Sequence, residues 1–280
     1  MIPQDISSFL KQGTEFFENL LGAMAGLGFE GEELRADHLC YRVATSDKYD
    51  VLKNFLSPHA ELLTETPVNG RLIASYRLHQ PFTSSRGPIP LVELPAPKPG
   101  RPYPTGFEHA EFVIHESFAS LMGRHPHLKF SPSEPKPLNC ELGLGTPAGQ
   151  AKFHQLSLER VIEIEEAAVE DVVFELDEKH LRELNDVVKN LRGLGFRVHL
   201  SPDNASKLYS PKVAAAYVLI VSDKWHDLRS SAPAGVIRAA ALWDLPHEPL
   251  LDEGAELYFR SLREVTEYLS ARAPKVSQGS

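Results

Sequence analysis

Apolar residues recur at three- and four-residue steps through Ile6, Phe9, Leu10, Phe16, Phe17, Leu20, Leu21 and Met24. That is the spacing of one buried helix face, and Gly26 and Gly28 close the run. From residue 37 the period changes to two. Residues 37–43 read as a short strand, 47–56 as a helix, and 61–65, 72–78 and 89–94 as three more strands. Asn69-Gly70 between two alternating runs signals a hairpin turn. The order is βαβββ.

The same order recurs further along. Residues 108–114 form a strand that opens, like Asp37-His38, on an acidic residue followed by a histidine. A helix follows over 117–124, with weaker strands near 128–130 and 138–142. A firmer strand over 150–154 leads to a helix over 158–166. His38 and His109 are 71 residues apart, which sets the repeat. Two such modules predict a cupped sheet with helices on its outer face.

Beyond residue 166 the pattern becomes α/β. Strands are expected over 171–176, 196–201, 214–221 and 237–243, with helices over 180–191 and 261–271. The third strand is apolar throughout, as a central parallel strand should be. The expected fold is therefore α+β, paired βαβββ modules forming a cupped sheet over 1–166. A smaller α/β parallel-sheet, Rossmann-like domain follows over 167–280.

Composition narrows the function classes. The chain has 280 residues, with 29 basic and 38 acidic side chains and a net charge of -9. The deficit is shared by both halves, so neither offers the basic field that nucleic acid or an anionic membrane needs. No run of 18 apolar residues appears, and Met1-Ile2-Pro3-Gln4-Asp5 lacks a basic signal-peptide region. Cys40 and Cys140 alone exclude a disulfide scaffold or a four-cysteine zinc site. The expectation is a cytoplasmic protein with a small-molecule substrate, no nucleic-acid or membrane partner, and scope for a homo-oligomer. Histidine is uneven: 8 of 12 lie before residue 167.

Alternation assigns faces. Leu39, Tyr41 and Val43 share one face of the first strand, and His38, Cys40 and Arg42 the other. In the second module Ala110, Phe112 and Ile114 oppose His109, Glu111 and Val113. Glu93 and His154 stand near the ends of the last strand of each module. If the modules pair about a pseudo-twofold axis, His38, Glu93, His109 and His154 converge. Imidazoles with a carboxylate suit a divalent ion such as Zn, Fe, Mn or Ni. Polar packing or solvated strand ends would explain the same residues without an ion.

The segments Ala36-Asp37-His38-Leu39-Cys40-Tyr41-Arg42, Asn69-Gly70-Arg71, Leu78-His79-Gln80-Pro81, Val92-Glu93-Leu94-Pro95, Tyr103-Pro104, Gly106-Phe107-Glu108-His109-Ala110-Glu111 and Ala151-Lys152-Phe153-His154 occur in a fixed order. As a set they resemble the YecM-like family, a branch of the vicinal oxygen chelate (glyoxalase- and dioxygenase-like) superfamily. The resemblance implies a metal-dependent isomerase, lyase or oxygenase binding a substrate through adjacent oxygens. It implies metal ligands at His38, Glu93 and His109, with His154 as the fourth. His154 stands where superfamily enzymes often supply a glutamate. Glu111, or Glu93 if it is not a ligand, is the expected general base, and Glu111 is the reserve ligand. Arg42, Arg71 and Arg77 are candidates for an anionic substrate group. A binding protein without turnover is the bland alternative.

Val221-Ser222-Asp223-Lys224-Trp225-His226-Asp227-Leu228 and the segments after it resemble a shortened haloacid dehalogenase-like domain. That resemblance implies a second site at Asp177, Ser201, Lys212, Asp223 and Asp227, with Mg and phosphohydrolase chemistry as the alternative function. Glu175 stands where the family's nucleophilic aspartate belongs and is one methylene longer. Ser201 and Lys212 are also too close for the usual intervening units, and both departures point to a degenerate, regulatory or scaffolding domain rather than active phosphoryl transfer. Asp223 and Asp227 equally suit a helix N-terminus.

Overall fold

The first helix starts where the sequence provides a cap. Asp5 Oδ1 accepts the Ser8 amide at 2.7 Å, and α1 runs over Ile6–Met24 before a wider π-helical turn, Ala25–Phe29. Gly28 takes φ 102° there, a left-handed value that favours glycine. The structure is a computed structural model describing residues 3–68, 70–98, 100, 103–134, 136–181, 184–201, 216–223, 235–243 and 255–273. It divides into two compact units, the first built mainly from residues before 163 and the second mainly from those after.

In the first unit, β1 (Ala36–Arg42), α2 (Ser46–Leu56), β2 (Ala60–Val68), β3 (Arg71–Ser84) and β4 (Gly87–Pro95) form one βαβββ module. The second comprises β5 (Gly106–Val113), α3 (Phe118–Arg124), β6 (Phe130–Pro132), β7 (Leu142–Thr146) and β8 (Gly149–His154). Together they make one eight-stranded sheet in the order β2-β3-β4-β1-β5-β8-β7-β6. Each module closes with its first strand parallel to its last, and β1 meets β5 antiparallel at the centre.

Two strands shift from their expected bounds, and the one expected near 128–130 lies at Phe130–Pro132. The strand expected over 138–142 lies at 142–146, where Leu142 pairs with Phe153 and Thr146 with Gly149. Gly143 and Gly145 weaken the local strand signal, and pairing with β8 overrides it. Asn69, half of the expected hairpin turn, lies outside the described residues, and Gly70 beside it has φ 78°.

The apolar face of this sheet packs under α1 and α2. Phe9 lies 5.5 Å from the Tyr41 ring and 5.2 Å from Phe107, and Phe17 lies 5.9 Å from Phe112. Leu39, Tyr41, Ala110 and Phe112 are all buried. The face arithmetic therefore leaves His38, Cys40, His109 and Glu111 together on the opposite face. Against that face, Leu91 packs with Leu158 and Ile162 at the start of α4 (Leu158–Glu166).

The second unit is a five-stranded, all-parallel sheet. Its strands are β9 (Ala168–Glu175), β10 (Arg197–Ser201), β11 (Ala216–Ser222), β12 (Val236–Ala241) and β13 (Leu257–Phe259), in the order β10-β9-β11-β12-β13. Val218, Leu219, Ile220 and Val221 of β11 are buried on both faces, as their unbroken apolar run requires. A short turn α5 (Glu178–Leu181) precedes α6 (Asn185–Gly193), where one continuous helix is expected from the sequence. The closing helix α7 (Leu262–Ser270) is capped by Ser261, whose hydroxyl accepts from the Glu264 amide. Among the described residues, no helix is long and apolar enough to cross a membrane.

Candidate metal centre

Strand register brings the polar residues into rows. His38 of β1 lies opposite Leu91 of β4 and Glu111 of β5, and Glu111 lies opposite Lys152 of β8. One row along, Cys40 lies between Glu93 and His109. His154 ends β8 opposite Val113. Residues directly paired across strands share a face, so all of these side chains leave the sheet on the same side.

Glu111 is the hub. Its Oε2 faces His38 Nε2 at 3.4 Å and lies against His154 Nε2. Its Oε1 is met by His109 Nε2 at 3.0 Å and Lys152 Nζ at 3.2 Å. Glu93 Oε2 approaches His38 Nε2 from the other side at 3.8 Å. Lys152 is itself held between Glu111 and Glu141, the latter at 3.3 Å. His38, His109, Glu111 and His154 are buried, while Glu93 keeps 18% of its side chain exposed.

Each module carries the same local device: an acidic residue orients the histidine that follows it. Asp37 Oδ2 holds His38 Nδ1 at 3.0 Å, and Glu108 Oε2 holds His109 Nδ1 at 2.9 Å. With Nδ1 donating to Asp37, His38 keeps a lone pair at Nε2 toward Glu111, whereas His109, flanked by Glu108 and Glu111, donates from both ring nitrogens. Asp37 Oδ2 also accepts the Leu158 amide at 2.9 Å, which ties the start of α4 to the same carboxylate.

The charge state shows what the cluster demands. Burial disfavours the His38 imidazolium, yet the charges of Glu111, Asp37 and Glu93 outweigh it and raise the ring to about 10. Burial likewise opposes ionised Glu111, but His154, His38 and Lys152 hold its carboxyl well below the usual range. The carboxylates thus ask for positive charge, and protons on the imidazoles supply it.

The donor set fits a divalent ion. His38 Nε2 and both ring nitrogens of His154 are buried without a hydrogen-bond partner, a costly state for neutral imidazole. Ligand atoms of His38, Glu93 and Glu111 lie within 4.8 Å of one another, as do those of Glu111, Glu141 and His154. Cys40, Glu108 and His109 make a further group at the same spacing. Two imidazoles and two carboxylates suit borderline or harder ions rather than thiophilic ones.

The remaining expected site residues separate. Arg42 reaches Glu108 at 2.6 Å, and Arg71 stands at the start of β3. Arg77, 45% exposed, is engaged by Glu61 and Glu159 and stands apart from the other two. In the second unit, Asp223 Oδ2 accepts the Asp177 amide at 2.8 Å and contacts His180 Nδ1 at 3.2 Å. Ser201 ends β10 opposite Glu175. Lys212 and Asp227 lie outside the described residues.

Sequence reasoning did not single out Asp37, Glu108 or Glu141. The paired acidic-His openings of β1 and β5 were the available signal for the first two.

The family model described as YecM protein matches residues 5–151, just over half of the chain. The chain belongs to the YecM family. Protein YecM of Escherichia coli strain K12 is 29% identical over 184 residues, covering 59% of this chain and 95% of that relative. The family-model match covers most of the first unit and ends within β8, before His154. Among solved structures, the chain is similar to "Structural Genomics, Protein EC4020", at 27% identity and a TM-score of 0.49 over 58% of this chain and 92% of that one. It is also similar to a putative dioxygenase from Bacillus subtilis, at 7% identity and a TM-score of 0.32, over 44% of this chain and 41% of that one. These scores are low, and the fold of this YecM-family unit rests on its own strand order.

Proposed function

We propose that the first unit is a metal-dependent enzyme of the vicinal-oxygen-chelate type, acting on a small substrate with two adjacent oxygens. The observation that carries this reading is the buried Glu111 carboxylate, which Nε2 of His38 and Nε2 of His154 both approach, with Glu93 beside His38. A divalent ion held there would supply a Lewis acid with open positions for substrate oxygens.

Each residue then has a definite task. His38 and His154 offer Nε2, and Glu111 offers Oε2. Both Glu111 oxygens are engaged, Oε1 by His109 and Lys152 and Oε2 beside His38 and His154, so its role is donor rather than base. His109 and Lys152 fix the Oε1 side of that carboxylate. Glu93, the more exposed of the two carboxylates, stands beside His38 and is the group free to take a proton from substrate. Asp37 sets the tautomer of His38, and Glu108 orients the His109 ring.

Metal content after overnight dialysis against a weak chelator tests the assignment. His38→Ala and His154→Ala are expected to lose the ion, whereas His109→Ala keeps it with reduced affinity. Equal retention by all three variants would refute the set.

A second reading is favoured by one feature of the parallel sheet. At the carboxyl ends of β9 and β11, where strand order reverses and open α/β sheets bind ligands, Glu175 Oε2 and Asp223 Oδ1 are buried without hydrogen-bond partners. We infer a Mg-dependent site of the haloacid dehalogenase-like type there, with Glu175 in place of the nucleophilic aspartate. Phosphatase activity lost in Asp223→Asn and kept in His38→Ala would support it; a wild-type protein silent toward phosphate esters in Mg would reject it.

A further inference from the structure

Arg42 lies four residues beyond His38 on the same face of β1, ~13 Å along the strand at about 3.3 Å per residue. Its Nε donates to Glu108 Oε2 at 2.6 Å, and its guanidinium stands 4.9 Å from the Tyr103 ring centre. Its Nη1 is buried and has no hydrogen-bond partner. Across the sheet, Cys40 pairs with Glu93 and Glu93 with Ser75, so Arg71, four residues from Ser75, faces the same way at the same end. Arg71 Nη1 donates to the Ala96 carbonyl at 3.4 Å, while its Nε is buried and unpartnered.

Between them the two guanidiniums have one ion-paired carboxylate, Glu108. Among the described residues no carboxylate forms an ion pair with Arg71, and the one serving Arg42 is shared with His109. Burial, and then the Arg42 charge, lower Arg71 from the ordinary guanidinium value, as expected of like charges brought together. Arg77 makes the contrast: exposed to water, it still has two carboxylates. A desolvated cation without a counter-ion is a stability cost that a folded protein retains for a ligand.

We propose that Arg42 and Arg71 bind the carboxylate of the substrate, which is a small monocarboxylic acid carrying its adjacent oxygens at the opposite end. Two guanidiniums against Glu108 leave one positive charge and two buried nitrogens, Arg42 Nη1 and Arg71 Nε, with unused N–H bonds. A carboxylate brings one negative charge and two acceptor oxygens, and a guanidinium fork matches it. The arginine end stands on its own geometry. Placement of the adjacent oxygens rests on the metal reading above.

Ligand-observed NMR on the full chain, with benzoate as probe and benzamide as its uncharged counterpart, tests the proposal with and without added zinc. Benzoate is expected to bind in both conditions and benzamide in neither. Arg42→Met and Arg71→Met should each weaken benzoate at least tenfold, with Arg71→Lys intermediate because the charge stays and the fork is lost. Arg71→Met should melt no lower than wild type, since it removes a half-buried charge that has no ion pair. Benzoate binding unchanged in the arginine variants, or equal binding of benzamide, overturns the proposal. Inorganic phosphate binding more tightly than benzoate overturns the choice of carboxylate. A melting temperature that collapses in Arg71→Met marks a structural arginine and also overturns it. Benzoate bound through the arginines by a protein that takes up no zinc would refute the metal reading alone.

Discussion

Asp37 does two separable things with one oxygen, and its substitution tests the architecture of the centre. Its Oδ2 orients His38 through Nδ1 at 3.0 Å and accepts the Leu158 amide at the start of α4 at 2.9 Å. Removing a carboxylate that orients a ligand histidine costs roughly 10–100-fold in metal affinity. At about 1.4 kcal/mol per tenfold, that is about 1.4–2.7 kcal/mol of binding free energy. Losing the acceptor at a helix start costs about 1 kcal/mol of folding stability. Asp37→Ala should show both losses. Asp37→Asn keeps an acceptor oxygen for the helix amide but not the charge, so it should fold nearly as well as wild type and bind metal with intermediate affinity. Competition with a chromophoric zinc chelator measures the first quantity and urea unfolding of the metal-free protein the second. A folded Asp37→Ala protein with wild-type zinc affinity would refute His38 Nε2 as a ligand set by Asp37.

Gly13 faces the aromatic cluster, and a Cβ there would stand 2.3 Å from Phe82 Cε1. That ring is clamped between Phe9 and Phe107, so overpacking, roughly 1–3 kcal/mol, should exceed the 0.5–1 kcal/mol or so that alanine gains in a helix; a Gly13→Ala protein with a raised urea midpoint would contradict this packing. In the second unit, Arg197 and then His199 lower the Asp171 carboxyl. A depressed folded value gives stability that is present above the unfolded value near pH 4 and lost as pH falls through the folded one. Asp171→Asn should therefore cost about 1 kcal/mol at pH 7, with half-exposed Arg197 keeping the figure low, and should flatten the acid limb of the stability profile. An acid limb identical to wild type would show that Asp171 does not set it.

Much of the fold was legible because its signals are local. The alternation of residues 37–43 and 108–114 assigned faces that the sheet respects, burying Leu39, Tyr41, Ala110 and Phe112 opposite the polar set. The unbroken apolar run of β11 identified a central parallel strand. What the sequence left open depended on contacts distant along the chain. His109 and Glu111 share a face, and only the β1–β5 register shows Glu111, opposite His38, at the centre of the cluster. Asp37 precedes His38 and would by strict alternation face away from it, but a register shift between Ala36 and His38 breaks that alternation. Arg42, Arg71 and Arg77 read alike in sequence, and only the carboxylates brought to Arg77 by β2 and α4 separate it from the other two.

The central claim is that one divalent ion belongs between His38, Glu111 and His154. An anomalous difference map from a crystal of the full chain soaked in zinc locates the ion directly. The account predicts one principal peak, about 2.0–2.3 Å from His38 Nε2, His154 Nε2 and Glu111 Oε2. A map without a peak there, or with its principal peak between Cys40, Glu108 and His109, would contradict it.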